Sequence, residues 1–376
     1  MRIRQVAGVA MTAATLGALS VGGVAGASPT TFLHDLTSVS KIGSTVPANG
    51  DVNPYGVAAV TASSGKLVAG DTLVSNFNSK ANVQGTGSTI VEVAPNGSQQ
   101  LFAQISSLPA GSACPGGIGL TTGLDILPGG WVVVGSMPTS GGGALPTGNP
   151  AGCLIVLNSA GSVVETFTNP NIDGPWDMTD QVTATGANLY VANALGGNTK
   201  VAKGVPVTGS CTVVRLTVAL NGTAMPSLTT STVIGNRFPW KANSDAFVLA
   251  PTGLALALNG TLLVDDSLTN SVSAIPQATT RSTPVSARTG LLTKGGGLNA
   301  PLGMVTLPND DVLVVNGNDG KATEISLSGR QVTVKTLIKG GAGDLFGLIL
   351  TPNHQGIVFV NDGANALYLA QPAAGS

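Results

Sequence analysis

A short motif recurs six times along this chain, and its spacing limits the possible folds more than any other feature. Each copy is typically a proline, a variable residue and a glycine, followed by an aliphatic residue. A turn leads to a second apolar strand that ends in a polar pair, and a third strand comes next. The copies are Pro54-Tyr55-Gly56-Val57, Thr121-Thr122-Gly123-Leu124, Pro175-Trp176-Asp177-Met178, Pro251-Thr252-Gly253-Leu254, Pro301-Leu302-Gly303-Met304 and Leu345-Phe346-Gly347-Leu348.

The third motif position falls at residues 56, 123, 177, 253, 303 and 347, so consecutive copies lie 67, 54, 76, 50 and 44 residues apart. A propeller blade of four strands needs about 40–50 residues, and no interval leaves room for a helical crossover beside four strands. The spacing predicts an all-β chain, a six-bladed β-propeller of four-stranded antiparallel blades. The predicted blades cover approximately residues 52–105, 117–169, 174–235, 248–294, 299–340 and 343–371.

The sixth repeat ends after three strands because the chain runs out. Residues 32–46 precede the first repeat, and we expect them to supply the missing outer strand. Pairing the two ends of the chain would close the ring and remove exposed sheet edges. Residues 28–376 are then expected to form a single domain.

Residues 1–27 have the pattern of a secretory signal peptide. Arg2 and Arg4 form a positive start, the stretch from Val6 to Val24 is uncharged, and Ala25-Gly26-Ala27 is a small-x-small cleavage site. A membrane anchor is the alternative, but a stretch built from Ala, Gly, Thr and Ser would insert weakly. We expect a secreted or periplasmic protein with no membrane span after cleavage.

The balance of charges excludes nucleic acid as an expected partner. The chain carries 17 Lys and Arg against 18 Asp and Glu, and such a balance gives no basic field to attract nucleic acid.

Three cysteines in an oxidising compartment predict one disulfide and one remaining thiol. Cys114 and Cys153 fall on one face of the second blade and are expected to pair. Cys211 occupies the equivalent place in blade three and could displace either partner.

The fourth repeat resembles an NHL unit. The resemblance runs from Pro251-Thr252-Gly253-Leu254 through Asp266 and Asn270 to Ser271-Val272. The whole pattern is similar to NHL-repeat propellers and to the group containing gluconolactonase-type hydrolases, strictosidine-synthase-like proteins and streptogramin lyases. Those enzymes place a Glu or a His in the channel or near its mouth. In this chain Glu92, Glu165 and Glu324 fall on or beside predicted third or fourth strands, while His34 and His354 lie elsewhere.

One face of the predicted propeller carries the longer loops. They join the second and third strands of blades one to three, or join neighbouring blades, and cover residues 75–88, 135–152, 193–210, 105–117 and 235–246. Their clustering predicts a wall over one side of the channel mouth and favours a binding surface there. Trp240, beside Lys241, is expected in one of these loops and is a ligand-binding candidate.

The middle residues of the six motifs are expected to ring the channel mouth. Packing between blades is the favoured interpretation for the aromatic members, and ligand contact is the alternative. The ring consists of Tyr55, Thr122, Trp176, Thr252, Leu302 and Phe346.

Asp177 stands where five other motifs have glycine, and Asp125, Asp173 and Asp180 are expected nearby, with Asp245 in a loop. Asp177 with Asn53, Asn76 and Asn193 could hold a hard cation such as Ca²⁺ through oxygen ligands. Turn capping is the favoured role for each of these residues taken alone. No cofactor is otherwise indicated.

Three functions remain open from the sequence. The first is a ligand-binding or protein-interaction propeller, indicated by few acid–base groups and an elaborated loop face. The second is a metal-dependent hydrolase or lyase of the lactonase-like group, which uses Asp177 with neighbouring Asn or Asp. The third is a structural component of the cell surface. A small molecule or a protein is the expected partner, and a monomer the expected state.

Overall fold

The computed structural model describes residues 31–119, 121–139, 151–196, 207–222, 224–244 and 246–375. They contain one helical turn, α1 (Phe32–Asp35), and strands that are, in chain order, β1 (Ser38–Ser44), β2 (Val52–Ala59), β3 (Thr72–Asn78), β4 (Thr89–Val93), β5 (Gln99–Gln104), β6 (Thr121–Leu127), β7 (Trp131–Ser136), β8 (Cys153–Leu157), β9 (Val163–Phe167), β10 (Pro175–Thr183), β11 (Gly186–Asn193), β12 (Val207–Ala219), β13 (Ser227–Asn243), β14 (Phe247–Leu249), β15 (Pro251–Leu256), β16 (Leu262–Asp266), β17 (Ser271–Ile275), β18 (Val285–Ser286), β19 (Leu291–Lys294), β20 (Pro301–Thr306), β21 (Val312–Asn316), β22 (Lys321–Ile325), β23 (Gln331–Thr336), β24 (Leu345–Leu350), β25 (Ile357–Asn361) and β26 (Ala366–Gln371).

These strands form six antiparallel blades around a ring, as the repeat spacing predicts. Blade one has the strand order β2-β3-β4-β5, blade two β6-β7-β8-β9, blade four β15-β16-β17-β19 and blade five β20-β21-β22-β23. In each blade the innermost strand carries the opening motif. The ladder between the first and second strands changes register at that motif in all six blades. Such a bulge bends a strand and re-aims its side chains.

The N-terminal segment closes the ring, and this prediction is confirmed. Strand β1 pairs antiparallel with β26, which gives blade six the order β1-β26-β25-β24. The preceding turn α1 packs Leu33 and Leu36 into the core beside blade five, where both are buried. The backbone N–H of Leu33 also donates to the buried Glu324 carboxylate at 2.8 Å. The N-terminal segment therefore completes blade six through β1 and is held against the core by the residues of α1.

Blade three differs from the prediction. Residues 235–246 are mostly not a loop, because β13 continues to Asn243 and pairs with β12, with Trp240 opposite Val207. Strand β14 then adds to β13, and β18 pairs with it in parallel. Trp240 lies in this strand and is only 1% exposed, which corrects its placement in a loop. Backbone pairing beyond the blade's usual edge satisfies N–H and C=O groups that a loop would leave to water.

The disulfide between Cys114 and Cys153 is present, with Cα atoms 5.3 Å apart, and Cys211 is a buried free thiol. No helix in the part of the chain that the structure describes is long and apolar enough to cross a membrane. The predicted signal peptide, Asp245 and parts of the loops 135–152 and 193–210 lie outside the described residues.

Candidate functional site

The end of the channel where the inner strands begin is filled by aromatic side chains. We call this group the aromatic plug, and it consists of Tyr55, Phe77, Trp176, Phe247 and Phe346. Its ring centroids lie 5.1–6.4 Å apart, within the range of favourable aromatic pairs. Tyr55 and Trp176 are 4% and 3% exposed, and the Trp176 indole N–H donates to the Tyr55 hydroxyl.

The remaining members of the predicted mouth ring also pack between blades. The Thr122 hydroxyl donates to the Pro175 carbonyl at 2.9 Å, and the Thr252 hydroxyl approaches the Pro301 carbonyl at 3.1 Å. Each hydroxyl thus reaches the first motif residue of the next blade, and both threonines are fully buried. Leu302 is also buried. Trp240 packs nearby in the same hydrophobic cluster as Trp176.

The asparagines proposed as metal ligands are held in hydrogen bonds at strand ends. The Asn193 amide oxygen accepts from the N–H groups of Asp173 and Gly174, and its amide nitrogen donates to Asn171 and Thr212. The amide nitrogen of Asn53 donates to Asp362 at 3.3 Å. These are the bonds of capping side chains.

Asn76 belongs to the same class, because its amide nitrogen donates to Thr45 and Thr89. Among the described residues, no three Asp, Glu, His or Cys side chains are arranged to hold one metal ion. A calcium site built from Asp177, Asn53 and Asn193 stays a prediction, and its two asparagines make the hydrogen bonds described above.

Beyond the aromatic plug, the channel is an open cavity of about 490 Å³. All six inner strands line it, from the third motif position to the end where they turn into the second strands. Aliphatic side chains along it include Leu124, Met178, Leu254, Met304 and Leu348, but polar and apolar surface contribute about equally to its lining. The volume lies within the range of small-molecule sites.

Three carboxylates enter this cavity from blades two and three, and we call Asp125, Asp177 and Asp180 the acidic cluster. The Asp177 carboxylate accepts hydrogen bonds from the N–H groups of Met178 and Leu254. Asp125 accepts from the N–H of Ile126 at 2.8 Å. Neither ion pair found within the described ranges involves this cluster. No Lys, Arg or His is among the described residues that line the cavity.

Burial perturbs the titration of these groups. Loss of hydration raises the pKa of Asp177 to about 7 and that of Asp180 to about 6. The pKa of Asp125 is raised well above its ordinary value, first by burial and then by the neighbouring charge of Asp180. A bound cation would lower all three values, because an opposite charge favours the ionised form.

Asp265 is a further buried carboxylate, and sequence reasoning missed it. It lies on β16 and accepts from the Thr252 hydroxyl at 2.5 Å and the Gly253 N–H at 2.7 Å. Its other oxygen has no hydrogen-bond partner in the described structure. Burial raises its pKa to about 8, and the charge of Asp177 adds to the shift. Its sequence signal is an Asp where the other second strands have Ser75, Gly135, Ala192, Val315 and Val360.

The three glutamates lie on third or fourth strands, away from the channel, as predicted. Glu92 and Glu324 are on third strands and Glu165 is on the outer strand β9. Burial raises the pKa of Asp173, which sits beside Asn193 rather than in the cavity.

No family model matches this sequence, and no curated protein matches it. The fold is found among solved structures. A gluconolactonase from Xanthomonas campestris aligns with a TM-score of 0.51 and 11% identity over 88% of this chain and 87% of its own. A structure described as a putative gluconolactonase aligns with a TM-score of 0.51 and 13% identity over 89% and 92%.

A streptogramin B lyase also matches, with a TM-score of 0.46 and 14% identity over 89% of this chain and 87% of the lyase. At these identities the gluconolactonase structures establish the six-bladed propeller fold alone, since one fold hosts many activities.

Proposed function

We propose that this chain is an exported propeller that binds a small organic cation at the acidic end of its channel. The proposal is supported by one observation above all: three carboxylates line a cavity whose described lining includes no cationic side chain. Burying carboxylates without a partner costs free energy. A cationic ligand would remove that cost while its apolar part contacts the aliphatic walls.

The geometry favours an organic ligand over a metal ion or a protein surface. A hard metal needs several oxygen ligands around one point, and the side chains named above do not supply them. The cavity is concave and lined by Leu and Met, which suits the carbon skeleton of a small molecule. The aromatic plug closes the opposite end, so we place the site on the side where the inner strands end.

Titration calorimetry with ethylammonium tests the proposal, with ethanol as a neutral probe of similar size. We expect ethylammonium to bind more tightly as the pH rises from 5 to 8, because Asp180 and Asp177 ionise over that interval. Asp177→Asn should weaken binding about 10- to 100-fold, since a hydrogen bond to a charged group contributes about 1.5–3 kcal/mol. Glu165→Gln removes the same charge from an outer strand and should leave affinity unchanged. Equal binding by wild type and Asp177→Asn would refute the proposal.

Hydrolysis is a second candidate, favoured by the pKa of Asp177. A carboxylate that titrates at about 7 can act as a general base near neutral pH. The Xanthomonas campestris protein of the same fold is described as a gluconolactonase. In such a step the Asp177 carboxylate would take a proton from a water molecule as the water oxygen bonds to the lactone carbonyl carbon, and would return that proton to the ring oxygen as the ring C–O bond breaks. A pH-stat assay with gluconolactone measures the rate of hydrolysis. Turnover by wild type that Asp177→Asn abolishes would support a hydrolase. A rate equal to the uncatalysed rate would exclude this hydrolysis and leave ligand binding as the proposed function.

Export is proposed from residues 1–27 and is supported by the disulfide, which persists in oxidising compartments. Mass analysis of the protein recovered from outside the cytoplasm should show an N-terminus at Ser28. An intact Met1 would contradict cleavage. We further propose a monomer, which sedimentation of the purified protein would test.

A further inference from the structure

The interface between blades six and one is packed differently from the other five. Each of the other hydrophobic clusters contains at least one buried phenylalanine or methionine, such as Phe102, Phe167, Phe238, Phe359 or Met304. The fully buried part of the cluster between blades six and one consists of five valines and one leucine, and the partly buried Phe346 packs against it. The six buried residues are Val74, Val91, Val93, Val358, Val360 and Leu367. Small side chains at an equivalent interface leave space unfilled.

That space is a cleft of about 690 Å³ between the two blades. Its walls carry Ile42 from the closing strand, Val93 from blade one, and Ile349, Val358 and Leu369 from blade six. Thr61, Asp71 and His354 stand among its polar lining residues. Unfilled volume of this kind lowers stability unless something occupies it. The volume matches that of ordinary small-molecule sites.

The cleft and the channel cavity are neighbours. Ala59, Thr61 and Ile349 line both of them, at the end where the inner strands of blades one and six finish. The acidic cluster belongs to blades two and three; blade two adjoins blade one, and blade three lies opposite blade six in the ring. A single ligand could therefore meet carboxylates at one end and aliphatic side chains at the other.

We infer that the ligand is an amphipathic amine, whose ammonium group meets the acidic cluster and whose aliphatic tail lies in the cleft between blades six and one. This inference rests on the proposed cation-binding function and adds the chemical class of the ligand. The opposite arrangement is disfavoured because the cleft is lined mainly by aliphatic side chains. A doubly charged amine would place its second charge in a cleft that has one carboxylate, Asp71, among mainly aliphatic side chains such as Val93 and Leu369.

Three probes separate the head from the tail: ethylammonium has the charge alone, 1-octanol the tail alone, and octylammonium both. Burial of one methylene contributes about 0.8 kcal/mol, which corresponds to about fourfold in affinity. Partial burial of six additional methylenes should make octylammonium bind at least about 100-fold more tightly than ethylammonium. Octanol should bind more weakly than octylammonium, because it leaves the acidic cluster without a cation.

A matched pair of variants locates the tail. Ala94 lines the cleft and immediately follows the third strand of blade one, and Ser326 holds the equivalent place in blade five. The N–H of each donates across a corresponding turn, to Ser98 and Arg330. Ala94→Leu should weaken octylammonium binding about 10-fold or more and leave ethylammonium binding intact. Ser326→Leu adds similar bulk outside the cleft and should change neither.

The outcomes distinguish the two proposals. Absence of ethylammonium binding to wild type would overturn the proposed function itself. Ethylammonium binding that survives while octylammonium binds no better would overturn the inference alone. So would an octylammonium affinity that Ala94→Leu does not change. Retained ethylammonium binding shows that Ala94→Leu is folded.

Discussion

The two ends of the channel are built from the same six inner strands, yet one end is filled and the other is open. At the first end the aromatic plug joins side chains from inner strands, from the end of β3 and from β14. At the second end the same strands present aliphatic side chains and the acidic cluster around a cavity of about 490 Å³. The bulge at each opening motif separates the two ends.

The third motif position shows how this division arises. A Cβ at Gly303 would lie 2.1 Å from the carbonyl oxygen of Phe346, and one at Gly347 would lie 2.4 Å from that of Tyr55. The inner strands approach each other too closely there for most side chains. Blade three departs from this rule with Asp177, which brings a carboxylate to the boundary between plug and cavity. The difference teaches that one end holds the fold together and the other is available for a ligand.

The largest expected effect is at the filled end. Trp176→Ala removes a fully packed indole that contacts Tyr55 and Phe77, and should lower the free energy of unfolding by about 3–5 kcal/mol. Val182→Ala, at a side chain that is 61% exposed at the open end, should change it by no more than about 0.5 kcal/mol. Urea unfolding measures both. Similar losses of stability in the two variants would contradict the claim that the filled end of the channel holds the fold together.

The disulfide gives the next effect. It links Cys114, in the segment before blade two, to the first residue of β8, across a sequence separation of 39. Replacing both cysteines by serine should cost about 2–4 kcal/mol of stability, measured by thermal or urea unfolding. Ethylammonium affinity of the folded variant should remain that of wild type, because neither cysteine lines the channel cavity. A parallel loss of affinity would show that the two ends are coupled.

A smaller effect is the dependence of stability on pH. An unfolded Asp releases its proton near pH 4, but folded Asp265 holds its proton to about pH 8 because of burial. Between these values the folded state binds more protons, so stability falls as the pH rises. One such group gives a slope of at most about 1.4 kcal/mol per pH unit.

Asp265→Asn replaces the neutral acid by a neutral amide and should flatten the slope between pH 5 and 8. Asp177 has a pKa of about 7, so it adds a similar decrease in the free energy of unfolding that levels off near pH 7. Urea unfolding of wild type and variant at each pH checks this. Identical slopes would mean that Asp265 is ionised in the folded protein.

Much of the architecture could be predicted from the sequence, because it depends on local patterns. The six motifs identify the inner strands, and the missing strand of blade six requires a partner from the other end of the chain. Cys114 and Cys153 could be paired because both belong to one face of one blade. The continuation of β13 beyond residue 235 was missed because Gly235 and Pro239 interrupt the alternation that marks a strand, and because it depends on pairing with β12.

The division of the channel could not be predicted in the same way. The sequence singles out Asp177 as an unusual residue, but not the end of the channel that is open. Phe77 and Phe247 complete the plug from outside the opening motifs. The burial of Asp265 depends on the blade that packs beside it. These are contacts between distant segments, and no spacing along the chain reports them.

The titration of Asp177 tests the central claim that the open end is a cation site. The carboxyl carbon resonance of Asp177, assigned by its loss in Asp177→Asn, can be followed by NMR from pH 4 to 9. We predict a midpoint near 7 in the free protein and a clearly lower midpoint with saturating ethylammonium, because a bound cation favours the ionised carboxylate. A midpoint that ethylammonium leaves unchanged would contradict the account.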